Sequence, residues 1–231
     1  EKKPDRTYTT RVYFSGKADE EGTSKVSFKN IEVQATPAIH GRMAIINDAG
    51  KRGFQVCNFC GYALIIGHES PPNQHTNPWG GKCKGTLGGH YSLGHQFETD
   101  TLKLYFEGYR DSRQEFWLSL LYALLEGASV AMHIERQDID GCLYPVGGDP
   151  SSPAIILFDD VPGGAGHVRR MAEPESIIKL IQATFDRLRQ CECGGDEGNA
   201  SCYGCLRHYR NQYCHEQLNR GMVIEFLGKL M

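Results

Sequence analysis

Nine cysteines stand in this chain, and their spacing matters more than their number. Cys57-x2-Cys60 is followed by Cys83. Cys191-x-Cys193 is followed by Cys202-x2-Cys205. Two cysteines separated by one or two residues deliver two thiolates from one tight turn. A second pair from elsewhere then completes a tetrahedron around a single ion. Near neighbours bridge as disulfides only with strain, and an odd count leaves at least one thiol unpaired. The pattern therefore points to metal, and metal thiolates persist in a reducing compartment, which sets the expectation of a cytoplasmic protein.

In the second group, residues 194–201 are polar and glycine-rich, unable to form a core but able to loop around an ion. Zn2+ suits four thiolates best, with an iron–sulfur cluster as the competitor. With Cys191, Cys193, Cys202 and Cys205 all bound, no position stays open for water or substrate, so the site reads as structural. In the first group a fourth ligand must be inferred to join Cys57, Cys60 and Cys83. His68, His75 and His90 are near in sequence, and His75 is favoured because a flexible segment connects it to Cys83. Two zinc ions are expected. Cys142 and Cys214 are left over and read as small buried apolar residues.

The elements that must position these ligands differ between the two halves. Up to about residue 110, short apolar runs alternate with glycine, asparagine and aspartate. The expected strands are 11–15, 25–28, 43–47, 54–57, 62–66 and 102–106. From residue 111 the pattern turns helical. Ser112-x-x-Glu115 resembles a capping box, and Phe116, Leu120, Ala123, Leu124 and Ala131 recur at helical spacing. A strand is expected at 154–158. Pro174 suits the first turn of a helix with Ile177, Leu180, Ile181, Thr184 and Leu188 on one face. A last helix carries Met222, Ile224, Phe226, Leu227 and Leu230. The fold expectation is α+β: a β-rich part over 1–110 with a zinc knuckle, and a mostly helical part over 111–231 closed by a four-cysteine zinc site.

The chain has 231 residues, 40% hydrophobic and 23% charged, with a net charge of −3. That composition suits a globular protein and disfavours a globally basic nucleic-acid binder. The most apolar stretch, 116–134, is interrupted by Glu126 and His133, so no membrane span is expected. The opening Glu1-Lys2-Lys3-Pro4 reads as part of a longer protein or a processed chain.

Three further patterns could do chemistry. Asp160–His167 is a glycine-rich loop after a strand, whose amides could hold a phosphate or simply form a tight turn. Segment 203–220 interleaves Arg207, Arg210 and Arg220 with Tyr203, Tyr209 and Tyr213. It could contact DNA, with Arg207, Tyr209, Arg210 and Arg220 as the candidate residues, or brace the metal lobe through Tyr209, Asn211 and Gln212. Asp138, Asp140, Asp159 and Asp160 could bind Mg2+ for nuclease chemistry, or be ordinary turn residues. No Gly-x-x-x-x-Gly-Lys-Ser/Thr phosphate loop and no Asp-Glu-x-His box is present in these residues, so ATP hydrolysis by that machinery is not expected here.

The run from Cys202 to Gln212 followed by Leu218-Asn219-Arg220, together with 93–100 and 160–167, resembles the MrfA-type zinc-binding domain family, over roughly Phe54 to the C-terminus. Such domains occur at the C-termini of certain superfamily 2 DNA helicases, including a mitomycin-repair helicase. They also occur in the DrmB-like component of the DISARM anti-phage system, whose branch the N-terminal knuckle resembles more. The resemblance implies zinc on Cys191, Cys193, Cys202 and Cys205 and supplies no catalytic residue. It implies a non-catalytic module of a DNA-processing helicase system, in phage defence or DNA repair, that binds or guides DNA and docks to a helicase motor in cis or in trans. The alternatives are a metal-dependent nuclease built on Asp138 and Asp160, and a purely structural docking domain.

Overall fold

A computed structural model describes residues 10–67, 74–195 and 200–231. His68 and residues 196–199 of the second cysteine loop lie outside the described residues.

The fold is α+β. Twelve strands precede or interleave with three α-helices in the described residues. One sheet has seven strands. Its path runs β1 (Thr10–Phe14), β4 (Ile31–Asn47), β10 (Leu93–Glu107), β12 (Ala154–Asp159), β11 (Ile139–Tyr144), and both β2 (Asp19–Glu20) and β3 (Ser24–Phe28) pair with β4. A three-stranded sheet is ordered β6 (Ala63–Ile65), β5 (Phe54–Cys57), β9 (Leu87–Tyr91), and β7 (His75–Thr76) pairs with β8 (Lys82–Cys83).

The chain divides into two compact units. Ala44–Gln96 make up the body of one, and Tyr13–Met43 with Phe97–Met231 make up the other. A boundary between residues 110 and 111 does not coincide with this partition. Strands β3 and β4 and the C-terminal helices share one core, because an amphipathic sheet needs the helices to cover its apolar face.

In the larger unit that core joins Val33, Leu102, Leu104 and Phe106 of the sheet to α1 (Gln114–Met132), α2 (Pro174–Arg189) and α3 (Arg220–Leu230). Strand β12 is buried at every position, and its Ala-Ile-Ile-Leu-Phe run reads as apolar throughout because both neighbours and both faces are covered. Strand β11, not expected from the sequence, pairs with it from Ile139↔Asp159 to Tyr144↔Ala154. Its Asp-Gly-Cys centre hides the strand signal. Gly141 is needed there because a Cβ would lie 2.8 Å from the Ile156 carbonyl oxygen of β12 and 2.7 Å from Leu121 Cδ1 of α1.

Helix α1 has the length and hydropathy of a membrane-crossing segment, but 67% of its most apolar window is buried within the protein, as in a core helix. It begins at Gln114 with no side-chain cap. The expected Ser112 capping box is absent, and the Asp111 carboxylate accepts the Arg113 amide at 2.8 Å instead. Helix α2 starts on Pro174 and buries Ile177, Leu180, Ile181, Thr184 and Leu188, the stripe expected from its periodicity.

Candidate metal centres

The two cysteine groups converge. The ligand atoms of Cys57, Cys60, His75 and Cys83 lie within 4.8 Å of one another, and so do those of Cys191, Cys193, Cys202 and Cys205. Among the described residues these are the only such groups of histidine, cysteine and acidic side chains. All nine cysteines are free thiols.

In the smaller unit, Cys57 closes β5, and the turn to Cys60 is set by the Gly61 amide donating to the Cys57 carbonyl at 3.1 Å. Gly61 takes φ +74°, a left-handed conformation that disfavours a side chain. Strands β7 and β8 pair with His75 opposite Cys83, so two ligands stand side by side across one short hairpin. Cys57 Sγ lies 3.9 Å from Cys83 Sγ, and Cys60 Sγ lies 3.1 Å from His75 Nε2. The imidazole stacks on Tyr62 at 4.7 Å and 21°, which holds Nε2 toward the sulfurs. Amides of Phe59 and Gly85 donate to Cys57 Sγ and Cys83 Sγ at 3.4 and 3.3 Å. Such bonds favour the thiolate.

The second centre grows from the end of α2, where the Cys191 amide donates to the Leu188 carbonyl at 3.3 Å. Cys202 turns back on itself: its carbonyl accepts from the amides of Cys205, Leu206 and Arg207. Sulfur separations are 3.5 Å for Cys191–Cys202, 3.6 Å for Cys193–Cys205 and 3.9 Å for Cys202–Cys205. A zinc–sulfur bond of about 2.3 Å makes a tetrahedral edge of about 3.8 Å. The separations match that edge and far exceed the roughly 2.05 Å of a disulfide. A polynuclear cluster would hold its thiolates further apart. Donor set and spacing therefore fit one zinc ion at each centre, and with four protein ligands each centre is closed.

The thiols do not share one acidity. In the first group the Cys60 and Phe59 amides outweigh burial and lower the Cys57 thiol to about 6, while burial raises Cys60. In the second, burial opposes ionisation of Cys191, but the Cys193 amide and the neighbouring thiols prevail and lower it to about 7; burial raises Cys205. In the folded chain the stabilising effect of the depressed thiols is complete above the ordinary value of 9.0. It is lost as pH falls through about 6 for Cys57 and about 7 for Cys191. Proton competition for a bound ion has the same sign. Acidification is thus expected to release metal, followed with a chromophoric chelator. Retention unchanged by pH would count against thiolate ligands.

Three residues have a role at the centres that the sequence did not disclose. A Cβ on Gly85 would lie 2.6 Å from Cys57 Sγ and 2.9 Å from Phe59 Cβ, whereas one on Gly204 would lie 3.3 Å from Cys202 Sγ. Gly85→Ala should therefore loosen metal at the first centre and destabilise its unit by about 1–3 kcal/mol, with Gly204→Ala milder; chelator competition on each variant checks the order. The signal was a glycine two residues after each of Cys83 and Cys202. Arg220 is the third. It was a candidate DNA contact, but it is buried, donating to the carbonyls of Leu188 at 3.0 Å and Cys193 at 2.6 Å. It ties α3 to the metal loop and is not available to a phosphate.

The remaining candidates are placed as follows. Arg210 pairs with Asp160 and lies 3.7 Å from Asp140, so a proposed DNA contact and two proposed nuclease carboxylates neutralise one another. Asp138 accepts the Glu135 amide and caps its own turn. Arg207 donates to Ser201 Oγ at 3.0 Å, and Tyr209 stays exposed. Asn211 is buried, taking the His208 amide and donating to the Leu206 carbonyl, so it braces the metal lobe; Gln212 is exposed. In the glycine-rich loop the amides of Ala165, His167 and Val168 donate to Asp159 and that of Gly166 to Asp100. The anion held there is the chain's own pair of carboxylates, and the loop opens into a 3-10 turn at Arg169–Ala172, not into α2. Cys142 and Cys214 are buried, as expected of small apolar residues.

Residues 120–206, which contain the whole second centre, match the model of the MrfA Zn-binding domain. The chain is 27% identical over 252 aligned residues to Druantia protein DruE of Escherichia coli (strain UMEA 4076-1), covering 96% of this chain and 13% of that protein. Its fold resembles the crystal structure of the DUF1998 helicase MrfA bound to DNA, with a TM-score of 0.52, 12% identity, and coverage of 99% of this chain and 26% of that one. A second structure of that helicase, bound to DNA and AMPPNP, gives a TM-score of 0.42 at 13% identity, covering 98% of this chain and 23% of that one. The chain thus spans a small part of each of these proteins. The first metal centre lies outside the residues matched to the MrfA Zn-binding domain.

Proposed function

We propose that this chain is the non-catalytic, zinc-stapled part of a larger helicase system, where two zinc ions shape a surface that binds or guides DNA and docks to a helicase motor in cis or in trans. The observation that carries this reading is the closed four-cysteine centre inside the residues matched to the MrfA Zn-binding domain. Each ion would be held by four side chains, supplying folding energy and leaving no coordination position for a reacting group. Similarity to a Druantia protein supports a role in phage defence. DNA repair and the DISARM system rest on the motif resemblance alone. The free thiols suit the cytoplasm.

The nuclease reading loses its support at Asp160, whose carboxylate is engaged by Arg210. A purely structural docking role is favoured instead by the occupied arginines at 210 and 220. Incubating the purified chain with single- and double-stranded DNA plus Mg2+ or Mn2+ tests the three. Binding without cleavage is expected. Metal-dependent cleavage abolished by Asp138→Ala or Asp160→Ala would establish the nuclease, and absence of binding at low salt would establish the docking role.

A further inference from the structure

We infer that the loops of the first metal centre present a stacking surface for single-stranded DNA, formed by Phe59 and Trp79 with Lys82 and Lys84. The inference rests on the DNA reading and places it in the smaller unit.

Phe59 is 85% exposed and Trp79 80% exposed, although each is among the residues most stabilised by burial. Phe59 lies between ligands Cys57 and Cys60. Trp79 lies in the turn that joins ligands His75 and Cys83. That turn is rigid: Asn77 Oδ1 accepts the amides of Trp79 and Gly81 at 3.0 and 2.9 Å, and the Asn77 amide donates to the Gly81 carbonyl at 2.8 Å. Phe59 Cβ is pressed toward Gly85, two residues past Cys83. Both rings therefore stand on backbone anchored at one metal centre, which lowers the loop-ordering cost of stacking.

The charge on these loops selects the occupant. Lys82 and Lys84 flank Cys83, both exposed while Cys83 is buried. Among the described residues neither has an ion-pair partner, unlike Arg42, Arg169 and Arg210, which are paired with carboxylates. Between Asp48 and Glu98 the sequence has one acid, Glu69, against Lys51, Arg52, Lys82 and Lys84, in a chain whose net charge is −3. Flat rings interleaved with uncompensated lysines suit a polyanion with unstacked aromatic bases. Ring faces take the bases in any sequence and the ammonium groups take the phosphates. A protein-docking patch would be expected to carry fewer lysines.

The test uses intrinsic fluorescence. The chain has two tryptophans; Trp117 is buried with its indole N–H on the Asp111 carbonyl, so Trp79 is the one that oligo(dT) can reach. Titration with oligo(dT) should quench fluorescence saturably. Anisotropy of labelled oligo(dT) should show at least about ten-fold weaker binding for Phe59→Ala/Trp79→Ala at unchanged zinc content, while Arg207→Ala/Tyr209→Ala binds like wild type. Should the aromatic variant lose zinc, Lys82→Ala/Lys84→Ala decides, by a log–log salt slope reduced by about 1.4. Binding without Trp79 quenching, or unaffected by these variants, overturns the site and leaves the DNA reading standing. Absence of oligo(dT) and duplex binding by the wild-type chain overturns both. Aromatic variants that bind oligo(dT) normally but no longer co-purify with a helicase motor would make this a protein-docking face, which also overturns the proposal.

Discussion

Replacing Cys202 with serine should remove the second metal ion and unfold the lobe around it while sparing the first centre. Cys202 supplies a thiolate, and its carbonyl gathers three amides that shape the turn. Cys205 and Leu206 are buried in the main core, and Cys191, Cys193 and Cys202 pack against it. The ion's binding energy is therefore folding energy for the ends of α2 and α3, which Arg220 bridges through Leu188 and Cys193. Structural zinc contributes on the order of 10–16 kcal/mol in small peptides. Losing one ligand of four forfeits much of that, a loss comparable with the whole stability of an ordinary domain, about 5–15 kcal/mol. Metal analysis should show one ion fewer per chain. Hydrogen exchange should show lost protection in α3 and the end of α2, with residues 54–65 unchanged. Full protection throughout would show that the cysteines do not staple this lobe.

Asp159→Ala should be the most damaging change away from the thiols. Asp159 is fully buried. Its two oxygens accept the amides of Ala165 at 2.6 Å, Val168 at 3.0 Å and His167 at 3.1 Å, and its carbonyl accepts the Thr99 hydroxyl at 2.8 Å. Alanine leaves three amides without an acceptor. At about 1–3 kcal/mol for the buried Val168 amide and less for those of Ala165 and His167, which water can reach, the loss should reach about 3 kcal/mol. Asp159→Asn retains the shape but offers one acceptor oxygen instead of two, so it should fall between alanine and wild type. Urea midpoints measure the series. A loss under about 0.5 kcal/mol for alanine would show that the loop holds itself.

These two sites differ in how far the sequence disclosed them. The cysteine quartet was legible because its ligands are local: Cys191-x-Cys193 and Cys202-x2-Cys205 each sit in one turn. His75 was reachable through the hairpin that pairs it with Cys83. The Asp159 seat was not legible. A glycine loop after a strand advertises free amides, and only the fold shows that Asp159 and Asp100 already occupy them. Arg220 misled in the same way, since an arginine among tyrosines reads as surface until its carbonyl partners are known. Strands β4 and β10 run well beyond the short apolar segments that announced them, because polar residues such as Glu32 and His95 interrupt the apolar signal without ending the strand. The expected boundary at 110/111 followed a change of composition, whereas the core is set by which face each helix covers.

Metal content of the chain purified without added metal tests the account most directly, read by elemental analysis alongside thiol titration under denaturing conditions. Zinc close to two per chain, with all nine cysteines titrating as free thiols, is the predicted result. A folded chain that contains no metal, or in which Cys191, Cys193, Cys202 and Cys205 are recovered as disulfides, would contradict it.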